Sequence, residues 1–187
     1  LALIRKIGLE KEIKLNIEVN HSTLSGHNFE HEIAYAISND ALGSIDINRG
    51  DTMLGWDTDQ FPNNPADLII AFFHIFSNGG FKHGGFNFDA KIRRQSVDPE
   101  DLFYAHIGAM DVCAKTLLAT ERLINDNILT QYIKKRYSNW KGELGKFIMN
   151  KNNDLENIAK EVEDKNINPQ PKSGQQEFLE NILNKYL

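Results

Sequence analysis

Apolar positions along this chain follow two periods, and the change between them marks the elements. From Ile13 to Asn20, apolar and β-branched residues alternate with polar ones, the pattern of a half-buried strand. A Ser/Gly loop leads to a predicted helix over Phe29 to Ser38, and a second strand covers Leu42 to Asn48. A loop carrying Gly55 and Pro62 follows, before Asn64 and Pro65 give an N-cap and first-turn signal for a helix that runs to Asn78-Gly79-Gly80. The third strand is Gly84 to Phe88. Asp98-Pro99-Glu100-Asp101 then opens a long helix, its acidic first turn complementing the dipole, which continues to about Asn125. Strands alternating with helices predict an α/β fold with a parallel sheet.

After Asn127 the strand pattern stops. Helical patterns cover Leu129 to Tyr137, Gly142 to Met149, Asp154 to Asp164 and Gln175 to Leu187, with Ser173 and Gln176 reading as a capping box for the last. An extended linker, Asn166 to Gly174, carries Pro169 and Pro171. The division is therefore residues 1–127, the strand-bearing part, and 128–187, a helical arm suited to lying over another surface such as a neighbouring subunit. At the other end, Leu1 to Gly8 reads as the last turns of a helix stopped by glycine, with no initiator methionine. The expectation is the C-terminal part of a longer protein.

Composition narrows the setting. The 187 residues carry a net charge of -5 with scattered lysines and no basic patch, which argues against nucleic acid or an anionic membrane as partner. Cys113 is the single cysteine, so there is no internal disulfide, in keeping with a reducing cytoplasm. The longest apolar run, Leu68 to Phe76, is too short to span a bilayer.

The candidate chemistry lies where the apolar runs end. Leu15 to His21 contains Glu18 and closes on His21, Ser44-Ile45 ends in Asp46, Phe86-Asn87-Phe88 ends in Asp89, and Asp57-Thr58-Asp59 lies between the last two. If the runs are neighbouring parallel strands, their C-terminal ends bring five carboxylates and one imidazole to one point. Two carboxylates about 5 Å apart repel by roughly 3 kcal/mol at an effective dielectric of ~20, so such a pocket needs cations. Oxygen-rich donors favour Mg²⁺ or Mn²⁺, and the imidazole softens one site enough to admit Mn²⁺ or Co²⁺. A strand-end aspartate taken alone is more often a helix cap or loop residue, and Asp57 and Asp59 are ordinary turn formers beside Gly55. Glu18 differs, since a glutamate within an apolar strand needs a partner.

The same strings resemble xylose isomerase: Asn16-Ile17-Glu18-Val19-Asn20-His21, Gly26-His27-Asn28-Phe29-Glu30-His31-Glu32, Gly43-Ser44-Ile45-Asp46-Ile47-Asn48-Arg49-Gly50-Asp51, Gly55-Trp56-Asp57-Thr58-Asp59-Gln60-Phe61-Pro62, Asn87-Phe88-Asp89-Ala90-Lys91 and Ala105-His106-Ile107-Gly108-Ala109-Met110-Asp111. The resemblance implies a TIM (β/α)8 barrel of which this chain carries the last three strands and helices, followed by an all-helical C-terminal arm, in a cytoplasmic homotetramer. It implies an aldose–ketose isomerase, D-xylose to D-xylulose and also D-glucose to D-fructose, working by a two-metal-assisted hydride shift. In that pattern Glu18 bridges two divalent cations, Asp46 and Asp89 complete the substrate-binding one, and His21, Asp57 and Asp59 hold the catalytic one. Lys91 is a candidate partner of the acidic cluster, with a surface salt bridge as its plainer reading. The family's other glutamate ligand, its ring-opening histidine and aspartate and its aromatic sugar pocket lie on an earlier part of the barrel, so the 187 residues alone are expected to be inactive.

Two other readings remain: a non-catalytic truncated chain, and a zinc protease built on His27-Asn28-Phe29-Glu30-His31, an H-x-x-E-H string with both histidines on one helical face. Against the protease, no downstream helix offers an obvious glutamate ligand, and the strand-end carboxylates are left unexplained. Arg49-Gly50-Asp51 and Asn20-His21-Ser22 match an adhesion tripeptide and a glycosylation sequon, but both require an extracellular protein.

Overall fold

The structure, a computed structural model, describes residues 1–187. They form two compact units, Leu1–Leu123 with Tyr186–Leu187, and Ile124–Lys185. No helix is long and apolar enough to cross a membrane.

The first unit opens with α1 (Ala2–Lys6), which Gly8 stops as predicted: at φ +73° it lets the N–H groups of Gly8 and Leu9 return to the carbonyls of Arg5 and Ile4. Then come β1 (Leu15–Glu18), α2 (Val19–Leu24), α3 (Phe29–Ser38), β2 (Leu42–Asp46), β3 (Arg49–Asp51), β4 (Trp56–Gln60), α4 (Ile69–Ser77), β5 (Phe86–Asn87) and α5 (Pro99–Asn125). β1, β2 and β5 form a parallel three-stranded sheet with β2 in the middle, while β3 and β4 make a separate antiparallel hairpin.

One face of the sheet carries the core. Ile17, Ile45 and Ile47 meet Phe29, Ile33 and Ala36 of α3 and Phe72 and Ile75 of α4. The α3 residues recur at helical spacing, so one stripe is buried. Ile33, Ile45, Phe72 and Ile75 are fully excluded from solvent, each contributing about 1.5–3 kcal/mol of hydrophobic stabilisation. Asn64 caps the turn before α4 by accepting from the Ala66 N–H at 3.2 Å, and Gly79 and Gly80 close α4 onto Phe76 and Ile75.

Three expectations for the first unit need correction. The first strand ends at Glu18 rather than Asn20, and residues 19–24, expected as strand end and loop, are helical. A distant cap accounts for this: the side chain of Asn48 accepts the N–H of Asn20, a first-turn donor with no partner inside the helix, at 2.9 Å, and the hydroxyls of Ser22, Thr23 and Ser25 are taken up locally by the carbonyls of Glu18, Asn20 and His21. The stretch expected as a loop around Gly55 is the β3–β4 hairpin. The third strand pairs only at Phe86 and Asn87, because Gly84, at φ +87°, turns the chain against the backbone of Gly43.

The second unit holds α6 (Ile128–Arg136), α7 (Glu143–Met149), α8 (Leu155–Asp164) and α9 (Gln176–Asn184), with a 3-10 turn at Ser138–Lys141. Asp154 caps α8 by accepting from the Asn157 N–H at 2.8 Å. The capping box expected before α9 does not form. Ser173 instead accepts from the Gln175 N–H at 3.1 Å, a local turn, and the Gln176 amide turns along the helix to Glu180.

Candidate metal centre

Register places the first carboxylates. Parallel pairing sets Glu18 opposite Asp46, and Asp46 opposite Asn87 on the far strand. Neighbouring strands are about 4.8 Å apart, so two acidic side chains stand abreast at the C-terminal ends of β1 and β2. Asp89 follows β5 by two residues. One carboxylate oxygen each from Glu18, Asp46 and Asp89 lies within 4.8 Å of the others.

A second cluster shares Glu18. The strand-to-helix junction has no spacer, since Glu18 is both the last residue of β1 and the N-cap of α2. His21 therefore stands one helical turn beyond it, Nδ1 3.2 Å from Glu18 Oε2 and Nε2 3.0 Å from Asp57 Oδ2. The donor atoms of Glu18, His21 and Asp57 again fall within 4.8 Å of one another. Asp57 and Asp59 come from β4, not from a loop. Asp59 sits at φ +42°, a conformation disfavoured for a residue with a Cβ. Its carboxylate belongs to neither tight group and instead receives Lys91 Nζ at 2.8 Å and Asn48 Nδ2 at 3.4 Å. Lys91 is otherwise exposed, and its backbone N–H is tied to the Asp59 carbonyl at 2.7 Å.

The structure thus brings Glu18, His21, Asp46, Asp57, Asp59, Asp89 and Lys91 into one region, with Glu18 common to both tight groups. Two residues given no role in the sequence reading hold it together. Asn48, 1% exposed, donates to Glu18 Oε1 at 2.7 Å and to the Asp89 carbonyl at 3.0 Å while accepting from the Asn20 backbone. Asn20, wholly buried, donates its side-chain N–H to Asp57. The available signal was a polar amide immediately after an apolar strand run, as in Ile47-Asn48. Asp46 is held on both oxygens, by Asn16 at 2.6 Å and Asn87 at 2.9 Å.

Electrostatics suit a cation. Burial pushes the Glu18 carboxyl above its usual range, and the charges of Asp57 and Asp59 add to this against Asn48 and His21. Asp59 is held below the usual range, first by its hydrogen bond with Asp57 and then by Lys91. The donor set of carboxylate oxygens with one imidazole fits Mg²⁺, Mn²⁺ or Co²⁺, and a desolvated glutamate shared by both groups suits a bridging position.

A third group lies at the start of α3. His27, His31 and Glu32 have donor atoms within 4.8 Å of one another. The third donor is Glu32, next to His31 on α3 and not on a downstream helix, and His27 precedes α3, so the two histidines do not share a helical face as expected. The hydrogen bond from His27 holds the Glu32 carboxyl below the usual range.

A family model described as the XylA2 C-terminal domain matches residues 133–187. Over 184 residues, 98% of this chain, the sequence is 53% identical to a xylose isomerase of Haemophilus influenzae (strain PittEE), and 55% identical to one of Histophilus somni (strain 2336). A xylose isomerase of Actinobacillus pleuropneumoniae serotype 5b (strain L20) is 54% identical over the same length. The chain spans 42% of the length of each of these relatives.

Proposed function

This chain is homologous to the C-terminal portion of xylose isomerase, and from that premise we propose that it forms the metal-binding part of an aldose–ketose isomerase converting D-xylose to D-xylulose and D-glucose to D-fructose. The observation that carries the proposal is the position of Glu18, which belongs to both tight donor groups. Glu18 would bridge two divalent cations, Mg²⁺ first among them with Mn²⁺ and Co²⁺ as alternatives. Asp46 and Asp89 would complete one, and His21, Asp57 and Asp59 the other. Bound there, the cations supply Lewis acidity, lowering the pKa of a sugar hydroxyl and polarising the neighbouring carbonyl for a hydride shift between C2 and C1.

The chain's own residues hold that arrangement. Asn48 keeps one oxygen of Glu18 oriented by a 2.7 Å hydrogen bond, leaving the other toward His21. Asn16 and Asn87 fix both oxygens of Asp46. Lys91 orients Asp59 and offsets its charge through an ion pair rather than touching substrate. Asn20 positions Asp57.

The wider assembly in this reading is a cytoplasmic (β/α)8 barrel, with β1, β2 and β5 as its last strands. Both edges of the three-stranded sheet then pair with further strands, and the 187 residues alone are inactive. Residues 128–187 serve homotetramer contacts, a role supported by exposed Tyr137, Trp140, Met149, Leu155 and Phe178.

The test uses the full-length polypeptide that carries this chain, measuring Mn²⁺ binding and sugar isomerisation together. Glu18→Gln should abolish both and Asp57→Asn should chiefly weaken one of two Mn²⁺ equivalents, while His31→Ala should leave isomerisation intact. Isomerisation that survives Glu18→Gln, or is lost in a folded His31→Ala variant, would refute the assignment.

A further inference from the structure

We propose that His27, His31 and Glu32 form a third metal site, distinct from the two groups that share Glu18, and that it takes a borderline transition metal such as Zn²⁺ rather than Mg²⁺. The two imidazoles converge on a single carboxylate oxygen. Glu32 Oε1 hydrogen-bonds His27 Nδ1 and lies 3.5 Å from His31 Nδ1, with the ring centroids 4.8 Å apart. Around a tetrahedral zinc with bonds of about 2.0–2.1 Å, donor atoms stand roughly 3.3 Å apart. The Glu32–His31 spacing already matches that edge, the His27–Glu32 pair must open to admit the ion, and all three donor atoms lie within 4.8 Å of one another.

Local structure makes the site stiff on one side and adjustable on the other. His31 and Glu32 belong to the first turns of α3, whose apolar stripe, Phe29, Ile33 and Ala36, is buried. His27 precedes the helix, its N–H bonded to the Ser22 carbonyl at 3.0 Å, so its ring can swing without disturbing the core. An ion there would tie the connection after α2 to α3. The imidazoles are half-exposed or more, with 50% and 61% of their side-chain surface accessible, leaving room for a water as fourth ligand. No lysine or arginine competes for Glu32, whose ion-pair partners are the two histidines. The helix N-terminus opposes a cation, and Glu30 and Glu32 in the first turn offset that field.

Donor chemistry separates this site from the other two. Two imidazoles and one carboxylate suit zinc, copper or nickel, whereas the oxygen-rich groups around Glu18 suit hard ions. The arrangement resembles the three-ligand, one-water pattern of zinc centres, and its role here is to brace the α2–α3 connection.

The experiment is equilibrium dialysis of chelator-stripped full-length polypeptide against Zn²⁺ alone, with bound metal counted per chain, on the unaltered protein, Glu18→Gln, His27→Ala, His31→Gln and the Glu18→Gln/His27→Ala pair. Co²⁺ as a spectroscopic substitute reports four-coordinate geometry through its strong visible absorption. His27→Ala and His31→Gln should each lose one Zn²⁺ equivalent and the tetrahedral Co²⁺ bands, whereas Glu18→Gln should keep that equivalent and those bands while losing the Zn²⁺ held by the two groups that share Glu18. Because His27 lies outside the helix, His27→Ala remains a fair test if His31→Gln fails to fold by circular dichroism. An unchanged Zn²⁺ count in His27→Ala, or Co²⁺ bands that vanish only in Glu18→Gln, would overturn the proposal. A Zn²⁺ count that Glu18→Gln leaves untouched would instead count against the two-metal reading.

Discussion

Asn48→Ala is the most informative single change, because that side chain connects strand, helix and both donor groups without being a ligand. In the native chain its amide donates to Glu18 and to the Asp89 carbonyl, and its oxygen accepts the Asn20 N–H, all with the residue 1% exposed. Removing it deletes a hydrogen bond to an ionised group, valued at about 1.5–3 kcal/mol, and leaves the buried Asn20 N–H unpaired at a cost of about 1–3 kcal/mol. Water entering the space recovers part of this, so the expected loss is about 2–4 kcal/mol. Urea denaturation of the metal-free full-length polypeptide at fixed concentration reads it as a lower midpoint with unchanged slope. Asn16→Ala, which removes an exposed amide from Asp46, serves as the control and should cost no more than about 1 kcal/mol. The second readout is Mn²⁺ affinity. All proposed ligand atoms survive Asn48→Ala, but Glu18 is no longer oriented, and a weakening of about 10–100-fold is expected. A loss below about 1 kcal/mol would show that the network is not structural. A large loss of stability with native Mn²⁺ affinity would show that orienting Glu18 is irrelevant to the metal.

Three further outcomes follow from other parts of the structure. Gly50→Ala should destabilise by about 1–3 kcal/mol, since a Cβ there would occupy the space of the buried Asn20 Oδ1; a midpoint equal to the parent's would refute that close approach. Burial pushes the Cys113 thiol up to about 11, so at neutral pH its reaction with an aromatic disulfide reagent should be far slower than that of free glutathione and should speed up in denaturant. Burial pushes His74 below its ordinary value of 6.5 against the raising influence of Glu30, so the unfolded chain binds the extra proton first. Stability should therefore fall as pH drops from about 6.5 toward the depressed folded value, and His74→Gln should flatten that slope in pH-dependent melting.

Legibility differed from element to element for physical reasons. β1, β2, α3 and α4 were visible because burial on the sheet imposes a period, and Glu18 stood out as a charge inside one such period. α2 was invisible because its first turn is completed by the side chain of Asn48, 28 residues away, a partner that no periodicity reveals. The β3–β4 hairpin was missed because Arg49–Asp51 and Trp56–Gln60 are mostly polar, and backbone pairing rather than an apolar face defines them. The acidic residues were picked out by type and by resemblance. Their supports, Asn20 and Asn48, were not, because an amide's role depends on partners that only the fold brings near.

The absence of a spacer between β1 and α2 gives this region a mechanical asymmetry. Glu18 and His21 are clamped to one another by a strand and a helix that share a residue, so adding or deleting a residue between them would rotate His21 by about 100° off the cluster. Asp57 and Asp59 instead ride on a two-stranded hairpin whose turn, residues 52–55, is exposed. Changes of length in that turn displace one jaw by small amounts and leave the other still. For anyone wishing to retune which ion the pocket accepts, the hairpin turn is the adjustable screw and the strand-to-helix junction is the anvil.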